Sequence, residues 1–338
     1  MIIDNLAAWQ RQPGEPLAIG PAALPTLARG EILVKNEAVA INPLDYLLQD
    51  LSVLPWLAYP AIVGSDVAGT VVAIGKGVER FAIGDRVLGQ AVGTTVNQPG
   101  QGAFQQHTVV LDHMAAPIPD AMSAVSAAVL PLGIGTAACG LYQSDHLGLR
   151  HPLADSRPTG ETLLVWGASS SVGCNVVQLA TASGYEVIAT ASPRNEAMVR
   201  GLGAVQVLDH GDAEVVDRMV AALRGKTLVG AFHATGNLAH TFDVMRQIEG
   251  RRFVTVTLPV QVELPETVEA ASIFGTSLRS DEVGPMLYRD FLPAALASGR
   301  YVAAPAPKVI GRGLEAFQHA VDAQRAGISG YKLVVDLS

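Results

Sequence analysis

The sequence predicts an α/β protein with a β-rich first part, a parallel sheet with crossover helices in the middle, and a closing segment of helix and strand. Three observations carry this expectation. Up to about Ser123, short strand-like runs alternate with glycines. From there to about residue 257, apolar runs of strand length alternate with stretches of helical period. One of those runs leads straight into a turn of small residues and then a helix.

The elements follow in chain order. Glu31–Ile41 and Val67–Ile74 read as strands, and Gly64, Gly69, Gly75, Gly77, Gly84 and Gly89 punctuate the region around them. The most apolar stretch, Met122–Leu141, is built from Ala, Gly and Ser and carries Pro131, so it predicts a core or interface helix pair rather than a membrane span. A polar, proline-bearing loop at 151–160 leads into the apolar run Thr162–Trp166. From Pro285 the pattern gives a helix over Met286–Ser298, a short strand, a helix over Gly313–Ala326 and a last strand over Tyr331–Leu337. There is no internal repeat.

The run Leu163–Gly173, Leu-Leu-Val-Trp-Gly-Ala-Ser-Ser-Ser-Val-Gly, has the form strand, tight turn, helix, with Val172, Val176, Val177, Leu179 and Ala180 at helical spacing. Such a turn aims backbone N–H groups at one point, where a pyrophosphate is favoured. Gly167 can make the turn, Ser169, Ser170 and Ser171 can approach phosphates, and Gly173 allows the helix to pack close to the strand. Ser170 stands where the usual fingerprint has its middle glycine. A second strand, Glu186–Ala191, ends where a carboxylate normally binds the ribose hydroxyls of NAD. Here the chain reads Ser192-Pro-Arg-Asn195, with no carboxylate between Val187 and Asn195. Arg194, with Ser192 and Asn195, suits a 2′-phosphate, because the guanidinium fork matches phosphate oxygens. The cofactor expected is therefore NADPH; the plain alternative is a Ser192 helix cap beside a solvated arginine.

Composition narrows the class. At 338 residues the chain is long enough for two domains, and 49% hydrophobic against 16% charged residues argues for buried cores over disorder. A net charge of −8 without Lys/Arg clusters excludes an electrostatic footprint for nucleic acid. Cys139 and Cys174 are too few for a disulfide framework or a zinc lobe, and both fall on small-residue helical stretches expected to bury them. Met1–Gln12 lacks a basic region followed by an apolar core, so a cytoplasmic protein without a signal peptide is expected, with no membrane or nucleic-acid partner.

Together the fragments resemble the medium-chain dehydrogenase/reductase superfamily over nearly the whole chain. Gly64-Ser-Asp-Val-Ala-Gly-Thr-Val-Val-Ala-Ile-Gly75, then Val78, Phe81 and Gly84-Asp-Arg-Val87, is similar to the family's N-terminal signature. Gly102–Gln106, Leu130-Pro131 with Thr136-Ala137, and Gly330–Asp336 fit the same pattern in the same order. Val165–Gly173 and Thr190–Asn195 look most like the zinc-free, quinone oxidoreductase-like branch that includes fungal trans-acting enoyl reductases. The resemblance implies a GroES-like catalytic domain (1–125), a Rossmann NADPH-binding domain with a doubly wound parallel sheet (126–283), and a C-terminal segment (284–338) returning to the first. Zinc members of the superfamily carry an early Cys and a Gly-His-Glu motif. This chain reads Ala40-Ile-Asn-Pro-Leu-Asp-Tyr46 and Gly64-Ser65-Asp66, and has no cysteine cluster between 80 and 115. Zinc needs thiolate or imidazole ligands, so no metal is expected; His107 and His113 lack partners in the sequence.

A metal-free site favours a conjugated carbonyl over a simple ketone, since hydride adds to carbon while charge spreads to oxygen. The expected activity is NADPH-dependent reduction of the C=C of an enone or enoyl thioester, free or carrier-tethered, with quinone reduction as the alternative. An NADPH-binding protein of structural or regulatory role is the rival from another class. Tyr46 is the candidate proton or hydrogen-bond donor; a half-buried loop aromatic is the alternative, and Asp45 reads as a turn residue. The resemblance adds Pro43 and, in the nucleotide turn, Val172 as cofactor contacts, Thr136, Val256, Thr257 and Phe274 near the nicotinamide side, His210 near the adenine, and Lys332 reaching back to the cofactor. Assembly is expected to be monomeric or homodimeric, with the edge about Phe253–Glu263 as the candidate dimer seam.

Overall fold

The computed structural model describes residues 5–153, 156–260 and 262–338. Residues 1–4 of the N-terminal segment, 154–155 of the polar loop and Gln261 of the candidate seam lie outside the described residues. The chain divides into two compact units. One runs to Leu132 and resumes over Gly284–Ser338; the other is Gly133–Val283. The first break thus falls at Leu132/Gly133 instead of 125/126. The reason is the short helix Ala124–Ala127, which packs on the strands Glu31–Ala40 and Asp66–Ile74 of the first unit.

The first unit is built around Glu31–Ala40, a strand whose Ile, Val and Ala side chains are buried on both faces. Its neighbours are antiparallel. Asp66–Ile74 pairs along one edge, and His107–Leu111 along the N-terminal half of the other. The last strand, Tyr331–Asp336, takes the C-terminal half, setting Val334 opposite Ala40 and Asp336 opposite Ala38. Ala306–Arg312 extends the sheet in parallel beyond it. The closing residues therefore complete this sheet from the far end of the chain. Phe104 stacks on Phe317 at 4.2 Å between ring centres, bringing the helix Ala316–Arg325 into the same core. A smaller antiparallel sheet joins Ala18–Pro21, Leu6–Gln10 and Ala61–Ile62.

The second unit holds a six-stranded, wholly parallel sheet. Numbered from Glu161–Trp166 in chain order, its strands lie 3-2-1-4-5-6. That is the doubly wound Rossmann order, whose switch point lies at the carboxyl end of the first strand. Strand Glu161–Trp166 is flanked by Glu186–Ala191 and Thr227–His233, and its four central residues Thr162–Val165 are apolar or hydrogen-bonded and buried, as a strand covered on both faces must be. The edge strand is Glu269–Ser272, paired with Phe253–Val256. The apolar stretch 124–142 meets the length and composition of a membrane span, yet 78% of its apolar window is buried inside the protein. Pro131 starts its main helix, Pro131–Tyr142, at the position where a missing N–H costs nothing.

Candidate functional site

In the second unit the chain leaves Trp166 through Gly167, whose φ of +81° belongs to the left-handed region open to glycine. A Cβ there would stand 2.6 Å from the Thr235 carbonyl oxygen. The turn is fastened to the next strand by Thr190. Its hydroxyl accepts the Gly167 amide at 3.0 Å and its carbonyl accepts the Ala168 amide at 2.9 Å. The helix Ser171–Ala182 begins at once, and a Cβ on Gly173 would lie 2.3 Å from the Gly167 oxygen, so only glycine permits this approach.

Ser170 has a structural part in this turn. It is the helix N-cap: its hydroxyl accepts the Gly173 amide at 3.0 Å and donates to the Gly167 carbonyl at 2.9 Å. The lost fingerprint glycine is thus replaced by a cap. The amides of Ser169, Ser171 and Val172 meet no acceptor among the described residues, leaving three donors at the positive end of the helix. The Ser171 hydroxyl is buried without a hydrogen bond, and a Cβ on Gly133 would come within 2.7 Å of it.

At the end of the second strand, Ser192, Pro193, Arg194 and Asn195 form a single helical turn. Asn195 is buried and donates from Nδ2 to the Ser192 hydroxyl at 3.1 Å. Arg194 is exposed and makes no hydrogen bond or ion pair among the described residues. His210 is exposed one strand further along, its amide 3.4 Å from the Ala191 carbonyl. Val256 ends the fifth strand in the core, and the Thr257 hydroxyl donates to Ala234 O at 2.9 Å. Thr136 is buried on the helix Pro131–Tyr142, and Phe274 is exposed beyond the edge strand.

In the first unit, Asn42-Pro-Leu-Asp-Tyr46 forms the start of the helix Pro43–Leu51, with exposed Pro43 in its first turn. Tyr46 packs its ring against the core, and its hydroxyl makes no hydrogen bond among the described residues. Asp45 is more than a turn residue. One oxygen, Oδ2, accepts the Asn42 amide at 2.7 Å. Burial pushes this carboxyl up to about 7, with the nearby Asp66 charge adding to the rise, against the Asn42 amide, Lys332 and the Gly64 amide.

Asp66 is the hub of this region. Oδ1 accepts the Leu132 amide at 2.5 Å; Oδ2 accepts Asn42 Nδ2 at 2.6 Å and pairs with the Lys332 ammonium at 2.6 Å. Lys332 also donates to the Val129 carbonyl at 3.2 Å and is only 2% exposed. The lysine that resemblance would send toward the cofactor is therefore turned inward, where leaving Asp66 unpaired would cost about 3–5 kcal/mol. Sequence reading noticed Asp66 only as a former metal position. The pairing depends on the last strand returning to the first sheet, which no local pattern announces.

His107 lies in a sheet strand, buried, its Nδ1 unbonded and its basicity lowered by burial and by Lys35. His113 sits 3.4 Å from Asp112 Oδ1. Among the described residues no three His, Cys, Asp or Glu side chains gather as a metal site. Cys139 and Cys174 are free, buried thiols, pushed up to about 11 and about 12 by burial.

Comparison with known proteins accords with this architecture. Residues 28–120 match the alcohol dehydrogenase GroES-like domain. The dehydrogenase azaJ of Aspergillus niger is 43% identical over 98% of this chain and 99% of its own length. The trans-enoyl reductase himH of Aspergillus japonicus is 38% identical over 99% of this chain and 98% of its own. Among solved structures, an alcohol dehydrogenase superfamily protein from Novosphingobium aromaticivorans superimposes with a TM-score of 0.81 at 25% identity, covering 99% of this chain and 100% of its own. A GroES-like unit, a Rossmann sheet and full-length relatives of this kind make the chain an oxidoreductase of the medium-chain dehydrogenase/reductase superfamily, among fungal dehydrogenases and trans-enoyl reductases.

Proposed function

We propose that this oxidoreductase is a zinc-independent, NADPH-dependent reductase of the C=C bond in a conjugated carbonyl, an enone or an enoyl thioester. The observation that carries the cofactor choice is Arg194: an exposed guanidinium without a partner among the described residues, at the end of the second strand, where no carboxylate stands to meet a ribose hydroxyl. The nucleotide turn suits the rest of the cofactor, since the Ser169, Ser171 and Val172 amides are unengaged and the Gly167 and Gly173 backbones approach closely. Ser192 and Asn195 would support Arg194, with His210 on the adenine side and Thr136, Val256, Thr257 and Phe274 toward the nicotinamide. NADPH supplies the hydride.

The chain's own part is to bind, orient and meet developing negative charge. The unengaged hydroxyl of Tyr46 is suited to donate a hydrogen bond to a carbonyl oxygen that gains charge. The donor set at the former metal positions does not suit zinc: Asn42 and Ser65 replace the soft ligands, and both Asp66 oxygens are engaged, one of them by an ammonium. The substrate class draws on relatives such as the trans-enoyl reductase himH. The test is titration with NADPH and NADH, followed by quenching of Trp fluorescence, then an enone, quinone and enoyl-thioester screen. Preferential NADPH binding and enone or thioester turnover are expected. Equal affinity for both nucleotides overturns the 2′-phosphate assignment, and binding without turnover on any acceptor overturns the enzyme reading.

A further inference from the structure

We infer that the buried Asp66–Lys332 pair is a positioning device for the Asn42–Tyr46 turn. This rests on the reductase reading for its kinetic consequence but not for its structural one. Asp66 gathers three segments remote in sequence: the Asn42 side chain at 2.6 Å, the Leu132 amide at 2.5 Å, and Lys332 of the last strand at 2.6 Å. Lys332 adds a fourth through the Val129 carbonyl at 3.2 Å. Asp66 and Lys332 are almost fully buried, so neither charge is compensated by solvent and each depends on the other.

The clamp acts at the residue that opens the turn. Asn42 is held through its side chain by Asp66 and through its amide by Asp45 Oδ2 at 2.7 Å. Both anchors precede Pro43, which fixes the backbone entering the helix, and Tyr46 follows within the first turn. A buried ion pair is a poor source of net stability compared with apolar packing, but its directional bonds specify one arrangement. Asp66 and Lys332 are therefore positioning residues, acting on substrate only through the turn that carries Tyr46.

The test compares the full-length wild type with two variants. Asp66→Asn/Lys332→Met removes both charges together and leaves neither one stranded. Asn42→Ala removes the side chain's bond to Asp66 together with its share of the helix capping box, and keeps the ion pair. Amide hydrogen exchange over 42–46 and at Leu132 is read beside kcat and KM for NADPH-dependent reduction of 2-cyclohexen-1-one. Exchange in the turn is expected to rise about tenfold in both variants, with kcat falling on the order of 10–100-fold while NADPH affinity stays within about twofold. Unchanged exchange and kcat in either folded variant would overturn the inference. If the double variant does not fold, Asn42→Ala decides alone. If the wild type itself shows no turnover on any acceptor, the reductase reading falls and the exchange data still judge the clamp.

Discussion

Replacing Arg194 by Gln removes a cation from the end of the second strand while leaving its surroundings intact, since the guanidinium has no partner among the described residues. A charge-assisted bond of about 1.5–3 kcal/mol corresponds to a rise in NADPH Kd of roughly 10–100-fold, with NADH binding unchanged. Nucleotide titration checks this; a parallel loss for both nucleotides would assign Arg194 to something other than the 2′-phosphate. Asp45 gives a second prediction at this scale. Its native value of about 7 lies above the ordinary 3.8, so the folded state holds a proton that the unfolded state releases. The carboxyl's contribution is fully present below about pH 4 and is lost as pH rises toward 7, on the order of 4 kcal/mol. Asp45→Asn should flatten the fall in Tm between pH 5 and 8, and an unaltered slope in the variant would contradict the assignment. Arg194 could be proposed from sequence because the features that single it out are local: a strand, a missing carboxylate and a basic residue. Asp45 was not, because its ionisation is set by burial beside Asp66 and Lys332, residues distant along the chain.

The helix Ser171–Ala182 shows which features of an element can be read from its sequence. Gly167 and Gly173 were readable because close backbone approach admits few other residues. The role of Ser170 was not, because one serine can face a phosphate or cap a helix, and only the geometry chooses the cap. Ser170→Ala should therefore lower stability by about 1 kcal/mol and leave NADPH affinity nearly unchanged. Thermal denaturation beside nucleotide titration separates the two effects; a large loss of affinity without loss of Tm would return Ser170 to the phosphate. Gly173→Val is expected to act on both, because its side chain would meet the Gly167 and Ala168 backbone. The last strand was legible as a strand, yet its partner was not, since periodicity reports which face is buried and not which neighbour buries it.

At the scale of the molecule, the first unit is closed by residues from both ends of the chain. Removing Gly330–Ser338 would bare the edge at Ala38–Ala40 and leave Asp66 buried without its cation. Such a truncation is expected to lose the first unit's cooperative unfolding, and a truncated chain that melts like the full-length protein would contradict that dependence. The two-unit organisation was visible as a change of texture, whereas the break at Leu132/Gly133 followed from how Ala124–Ala127 packs. The central claim is the direction of chemistry: hydride delivered to a conjugated carbon. It is tested most directly by incubating the protein with NADPH deuterated at the transferable C4 position and 2-cyclohexen-1-one, then locating deuterium in the product. The account predicts one deuterium at the carbon β to the carbonyl. Deuterium on the carbonyl carbon would make the enzyme a ketone reductase, and no incorporation into this or any other conjugated acceptor would remove the reductase assignment.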